Sequence, residues 1–135
     1  MEIKYHSKDT LDEKEVIELY ESNGWSSAKK PTLLLKALKG SHSLITARDA
    51  SRLVGLGNAI SDGYLVVYYP HLLVHPDYQH KGIGKEIMKR LQSGYADFHQ
   101  QMLAADGEAL GFYKKLGFKR AGRTQSMWIY DGDDH

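Results

Sequence analysis

Between Leu72 and Lys85 the chain reads Leu-Leu-Val-His-Pro-Asp-Tyr-Gln-His-Lys-Gly-Ile-Gly-Lys: an apolar run that stops at Val74, a polar loop, then two glycines. Beyond the loop Ile83, Ile87, Met88, Leu91 and Tyr95 recur at helical spacing, which predicts a helix from about Gly82 into the mid-90s. A strand that turns through glycines into a helix also builds an anion site. The first N–H groups of a helix have no partner within it, and the helix dipole adds positive potential there, so main chain alone can hold a phosphate. Gly82 and Gly84 carry no side chain to block close approach, and Lys81 and Lys85 add charge worth about 0.3–1 kcal/mol each at an exposed site. Taken alone, Gly-x-Gly after a strand fits a plain helix start better than an anion site. The stretch lacks the third glycine of a dinucleotide fingerprint and the Gly-Lys-Ser/Thr ending of a P-loop, which sets NAD and ATP aside.

The flanking pattern predicts an α+β fold. Residues 2–6 alternate as a short strand, and Thr10-Leu11-Asp12-Glu13 is a capping-box pattern opening a helix with Val16, Ile17, Leu19 and Tyr20 that stops at Gly24. Pro31 suits the first turn of a second helix through Leu33, Leu34, Leu35 and Leu38, with Gly40 as its stop. Residues 43–48 and 53–60 read as strands around Asp49-Ala50-Ser51, and Ser61-Asp62-Gly63 turns the chain into a third strand, 64–74. After the glycine-opened helix come a strand at 101–105, a helix over 108–116 ended by Gly117, and two last strands at 118–121 and 126–130. Three antiparallel strands followed by a βαβ unit imply a mixed, mostly antiparallel sheet of about six or seven strands flanked by about four helices.

Composition narrows the chemistry. A chain of 135 residues suits a single domain spanning 1–135, with 131–135 as a loose tail. That tail, Asp131-Gly132-Asp133-Asp134-His135, gathers carboxylates and a histidine. Ligands on a frayed end lack the groups that orient them, so a solvated terminus rather than a metal site is expected. Lys plus Arg number 18 against 17 Asp plus Glu, which gives no general attraction for nucleic acid or an anionic membrane. The absence of cysteine removes disulfides, thiolate metal sites and cysteine nucleophiles. No long apolar run occurs and Met1-Glu2-Ile3-Lys4 is polar, so a cytoplasmic location is expected.

With these elements in place, Val74-x-Pro76-x-x-Gln79-x-x-Gly82-x-Gly84 resembles the acetyl-CoA signature of the Gcn5-related N-acetyltransferase (GNAT) superfamily, Gln/Arg-x-x-Gly-x-Gly/Ala after a strand ending in an aliphatic residue. Further on, Ala109-Leu110-Gly111-Phe112-Tyr113-Lys114-Lys115-Leu116-Gly117-Phe118 resembles the family's Ala-x-x-Phe-Tyr-x-x-x-Gly-Phe element. The resemblance covers nearly the whole chain, the two N-terminal helices being its least diagnostic part. It implies an acetyl-CoA-dependent N-acetyltransferase acting on a primary amine of a small molecule or amino acid, or on a protein amine. A non-catalytic acetyl-CoA-sensing module of the same fold is the alternative.

Residue by residue, the resemblance implies pantetheine bonds from the main chain of Leu72, Leu73 and Val74. It places the pyrophosphate on the amides of Gln79, His80, Lys81, Gly82, Ile83, Gly84 and Lys85, with a further cofactor contact at Asp106. Tyr113, which taken alone reads as a core aromatic, matches the tyrosine proposed to protonate the leaving thiolate of coenzyme A. A phenol of ordinary pKa about 10 remains protonated at neutral pH and can do so. His71 and His75 bracket the cofactor strand and are candidate bases; by strict alternation Tyr68 and Pro70 share one face and His71 the other, unless a bulge intervenes. Pro70 stands where some members carry a base, so the sequence does not identify one. With no cysteine for a covalent intermediate, direct transfer within a ternary complex is expected. The acceptor site would be shaped by residues 24–30 and 122–126, with Trp25 and Trp128 as candidate walls or core residues, and a homodimer would give the late strands a partner.

Overall fold

The structure, a computed structural model, describes residues 1–134. The chain runs β1 (Ile3–His6), α1 (Glu13–Ser22), α2 (Pro31–Lys39), β2 (Ser43–Asp49), β3 (Arg52–Ser61), β4 (Val66–Tyr68), β5 (Leu72–Val74), α3 (Ile83–Ser93), β6 (Gln100–Met102) and α4 (Leu110–Lys114). Short 3₁₀ turns at Ser26–Lys29, Pro76–Tyr78 and Gly107–Ala109 link these elements. β1, β2 and β3 pair antiparallel; β3 then carries both β5 and β4 on its other edge, and β4 takes β6 as a parallel neighbour. Among the described residues no helix is long and apolar enough to cross a membrane.

β3 is covered on both faces, and its residues 53–59 are all buried in one run. Leu53 and Leu56 pack with Val16, Leu19, Tyr20, Leu34 and Leu38 of α1 and α2. The opposite face carries α3 through Ile83, Ile87, Met88 and Leu91. That helix sits close because β3 presents Gly55 and Gly57 to it. A Cβ on Gly57 would lie 2.8 Å from Ile87 Cγ2 and 3.0 Å from Leu91 Cδ1, both fully buried and with nowhere to retreat. Gly57→Ala is therefore expected to destabilise the fold by about 1–3 kcal/mol through overpacking, read as a lowered melting midpoint.

Ion pairs fasten the start of α1 to β2. Arg48 donates from Nε to Asp9 at 2.7 Å and from Nη1 and Nη2 to Glu15 at 2.8 Å each. Burial works against the charge on Asp9, yet the hydrogen bonds from Thr46 and Arg48 outweigh it and hold the carboxyl below its usual range. Glu15 also accepts the Asp12 N–H at 2.9 Å, so the helix is capped at Asp12 rather than at the Thr10 pattern.

The structure departs from the sequence expectations in several places, the strand expected over 101–105 being the shorter β6 at Gln100–Met102. The predicted strand over 64–74 is interrupted after Tyr68 and becomes β4 and β5. The helix expected over 108–116 is shorter, a 3₁₀ turn followed by the five residues of α4. The two last strands do not form: among the described residues nothing after α4 pairs as a strand, because no neighbouring edge meets this segment. Leu116 and Phe118 still pack against the core, but Met127 and Ile129 stand in solvent at 95% and 107% relative exposure. The segment is nevertheless tied at its end, where Asp134 accepts from the N–H and hydroxyl of Ser26 at 2.7 and 2.9 Å and Tyr130 meets the same hydroxyl at 2.9 Å. The composition had suggested a loose tail there; His135 lies outside the described residues.

Candidate active site

The two halves of the interrupted strand behave differently. β4 is flanked by β3 and β6, whereas β5 pairs with β3 alone and β6 ends at Met102, so the sheet opens between them. The pairing of β5 fixes what it offers to the opening. The His75 N–H donates to the Val54 carbonyl at 2.8 Å and the Asn58 N–H to that of His71 at 3.1 Å. With Leu56 opposite Leu73, alternation makes Leu73 the residue whose N–H and C=O face β3. Leu72 and Val74 then turn their polar main-chain groups to the open edge. Main-chain bonds expected of Leu72, Leu73 and Val74 thus narrow to the first and last, while the Leu73 side chain is buried against α1 and α2.

The loop that follows is braced from several sides. The His75 ring caps the Pro76–Tyr78 turn, its Nδ1 accepting the Asp77 N–H at 3.1 Å, so this candidate base serves as a cap. The Tyr78 hydroxyl donates to Asp49 at 2.6 Å, and Arg52 and Lys81 lie over its ring at 5.6 and 5.8 Å. Gln79 donates from Nε2 to the Val74 carbonyl at 3.0 Å, closing the loop onto β5. The Gln79 N–H points back to Pro76 O at 3.4 Å, so of the expected amide cradle this one is drawn into the turn.

Two left-handed residues, His80 at φ 63° and Gly82 at φ 85°, then swing the chain into α3. The first helical bond runs from the Glu86 N–H to the Gly82 carbonyl at 3.1 Å, which leaves the N–H groups of Ile83, Gly84 and Lys85 ahead of the ladder at the positive end of the dipole. His80, Lys81 and Lys85 are exposed around it, while the Ile83 side chain is buried. A Cβ on Gly84 would meet Phe112 at 3.5 Å and Val74 Cγ2 at 3.7 Å, so this glycine lies where α3, α4 and β5 converge.

Tyr113 follows on α4, stacked edge-on against Phe112 and Phe118 with centroids 5.0 and 6.0 Å away. Burial first, and then the negative charge of Asp106, push its hydroxyl above the usual phenol range. The structure therefore brings Asp106 and Tyr113 within electrostatic reach and keeps the phenol protonated.

A second wall was less visible in the sequence. The Tyr20 hydroxyl lies 2.8 Å from His71 Nδ1, and Trp25 meets both rings edge-on at 5.7 and 5.2 Å. Burial drives the Tyr20 hydroxyl far above the ordinary phenol range, so it keeps its proton and is able to donate to Nδ1. His71, a candidate base, is thereby held in place by the Tyr20 hydroxyl and the Trp25 ring. It shares a sheet face with Tyr68 rather than opposing it, since the interruption of the strand adds one residue and inverts the alternation. The structure joins the 24–30 loop to the C-terminal segment, but through Tyr130 and Asp134 rather than through 122–126; Trp128 is 59% exposed and packs edge-on with Tyr130. Tyr20 passed for a helix-core residue, and its spacing carried no sign of the histidine it holds.

This geometry can be set beside known proteins. A family model for the acetyltransferase (GNAT) domain matches residues 8–128. The chain belongs to the GNAT acetyltransferases. This GNAT chain is 36% identical over 124 residues to the uncharacterized N-acetyltransferase ycf52 of Pyropia yezoensis, covering 87% of this chain and 70% of that protein. It is 39% identical over 111 residues to ycf52 of Porphyra purpurea, covering 77% and 63%. Among solved structures, the GNAT family acetyltransferase SP0256 from Streptococcus pneumoniae superposes with a TM-score of 0.84 at 29% identity, over 97% of this chain and 100% of that one. The mixed six-stranded sheet and four helices are the GNAT fold.

Proposed function

We propose that this GNAT protein moves acetyl from acetyl-CoA to a primary amine of a small molecule or amino acid, by direct transfer in a ternary complex. The observation that carries the reading is the open edge of β5 running, through a braced loop, into the free amides of α3. An extended, amide-bearing pantetheine arm pairs with such an edge as a peptide would, through Leu72 and Val74. Ile83, Gly84 and Lys85 would hold the pyrophosphate through their N–H groups, with Lys81 and Lys85 adding charge. The Leu72 N–H, next to the interruption of the strand and at the end of the edge farthest from the α3 amides, is suited to stabilise the oxygen of a tetrahedral thioester adduct. As the amine nitrogen bonds to the acetyl carbon the C–S bond breaks, Tyr113 gives its proton to the departing sulfur, and the proton shed by the amine goes to solvent and restores the phenol.

The acceptor amine is assigned to the neighbourhood of Trp25, His71 and Tyr130, where the 24–30 loop meets the C-terminal segment. Met127 and Ile129, exposed on the C-terminal segment, favour a homodimer that covers them, which light scattering of the purified protein checks. Calorimetric titration with acetyl-CoA, with ATP and NAD as controls, tests the central claim. Saturable one-site binding selective for acetyl-CoA is expected, followed by acetylation in an amine screen. Absence of binding would overturn the cradle, and binding without turnover on any amine would leave a sensing module instead.

A further inference from the structure

β3 and the interrupted strand beside it are one residue out of step. From Asn58 to Ile60 β3 advances two residues, while their partners His71 and Tyr68 are three apart. The extra residue is a β-bulge, and every N–H within it has a fate. Tyr69 donates to the Met102 carbonyl of β6 at 3.0 Å, and Pro70 has no N–H. His71 stands at a position where a regular antiparallel pair would exchange two main-chain bonds with Asn58. One of these is present, from the Asn58 N–H to the His71 carbonyl at 3.1 Å. The other is replaced, because the His71 N–H donates at 3.1 Å to the side-chain Oδ1 of Asn58.

Asn58 is only 3% exposed, in the middle of a run of apolar residues and glycines. A buried amide is costly unless both ends are satisfied. Its Nδ2 donates to Ser41 Oγ at 2.9 Å, and that hydroxyl donates to the Ala37 carbonyl near the end of α2 at 2.9 Å. One side chain thus links α2, through Ser41, to the residue just before β5, where the chain coming from β4 parts from its neighbour β6 and pairs again with β3.

We propose that Asn58 is a positioning residue for the acetyl-CoA site: by standing in for its own carbonyl it holds the bulge at 69–71, and so aims the Leu72 and Val74 main-chain groups into the opening. The proposal rests on the reading of that edge as the acetyl-CoA site. Asn58 touches neither acetyl-CoA nor the acceptor in this scheme; it acts through His71 and the two residues after it. Removing the Oδ1 takes away the acceptor that the His71 N–H uses here, and a bulge that shifts toward the main-chain carbonyl of residue 58 rotates the edge.

The test compares wild type, Asn58→Leu and Asn58→Asp by acetyl-CoA titration, steady-state kinetics and melting. Asn58→Leu keeps the volume and removes both polar ends; acetyl-CoA Kd and KM are expected to rise about tenfold, with kcat at saturation falling less than about threefold. Asn58→Asp keeps an oxygen for the His71 N–H, with Ser41 turning its hydroxyl from the Ala37 carbonyl to the second oxygen, and is expected to return KM to within about threefold of wild type. A lowered melting midpoint with unchanged KM in Asn58→Leu would reduce Asn58 to a structural residue, as would a folded Asn58→Asp as impaired as Asn58→Leu. If Asn58→Leu does not fold, Asn58→Ser, too short to reach the His71 N–H, carries the same comparison. Failure of the underlying reading is seen separately, as wild-type protein that takes up no acetyl-CoA before any variant is made.

Discussion

Gly84→Glu is expected to weaken acetyl-CoA binding at least about a hundredfold, roughly 2.7 kcal/mol, while the protein still melts cooperatively near the wild-type temperature. The two halves of this expectation come from different facts. The first atom of any side chain fits, since a Cβ at this position makes ordinary contacts of 3.5 Å with Phe112 and 3.7 Å with Val74. Glutamate is also a better helix former than glycine, so the fold loses little. The remainder of the side chain has to project from the first turn of α3, where it puts a carboxylate among the amides that would receive a pyrophosphate. Bulk and like charge then act together. Titration calorimetry paired with a melting curve reads both quantities. Near-normal binding in a folded variant would move the anion site away from α3.

Tyr113→Phe is the second large effect, and it falls on a different quantity. Turnover is expected to drop at least about tenfold while acetyl-CoA affinity stays within about twofold, because the ring and its contacts with Phe112 and Phe118 remain and only the donor is lost. The sign of the pH dependence follows from the environment. Burial and Asp106 raise the Tyr113 pKa, so the proton is present throughout neutral pH and its loss belongs above the ordinary phenol value of about 10. A wild-type alkaline limb due to Tyr113 should therefore lie above that value and be absent from Tyr113→Phe. Unchanged turnover in the variant would take the phenol out of the reaction.

What the sequence disclosed, and what it hid, follow the range of the forces involved. The loop and helix start proposed as the cradle were legible because all their parts are local: a change of period, two glycines and a helix start lie within fourteen residues of chain. The α+β class followed from the same short-range patterns. The break in the third strand had one local sign, Pro70, which cannot donate within a ladder. Its position and its extra residue, however, depend on Asn58, twelve positions upstream and one polar letter in an apolar run. The Tyr20–His71 bond joins residues 51 apart in the chain, and no periodicity announces it. The two final strands failed for the opposite reason. Residues 126–130 have the right composition, but a strand is completed by its neighbour, and none of the described residues supplies one.

The close seat of α3 on Gly55 and Gly57 has a bearing on affinity. The edge that would take the pantetheine arm and the helix end that would take its phosphates are held against each other through Ile83 and Ile87, which sit directly over Gly55 and Gly57 of β3. Their relative placement is settled when the chain folds, so little conformational entropy remains to be lost when a ligand spans the two. Substitutions that merely loosen this contact should therefore weaken binding of the whole cofactor more than binding of either fragment, adenosine diphosphate or pantetheine, measured alone.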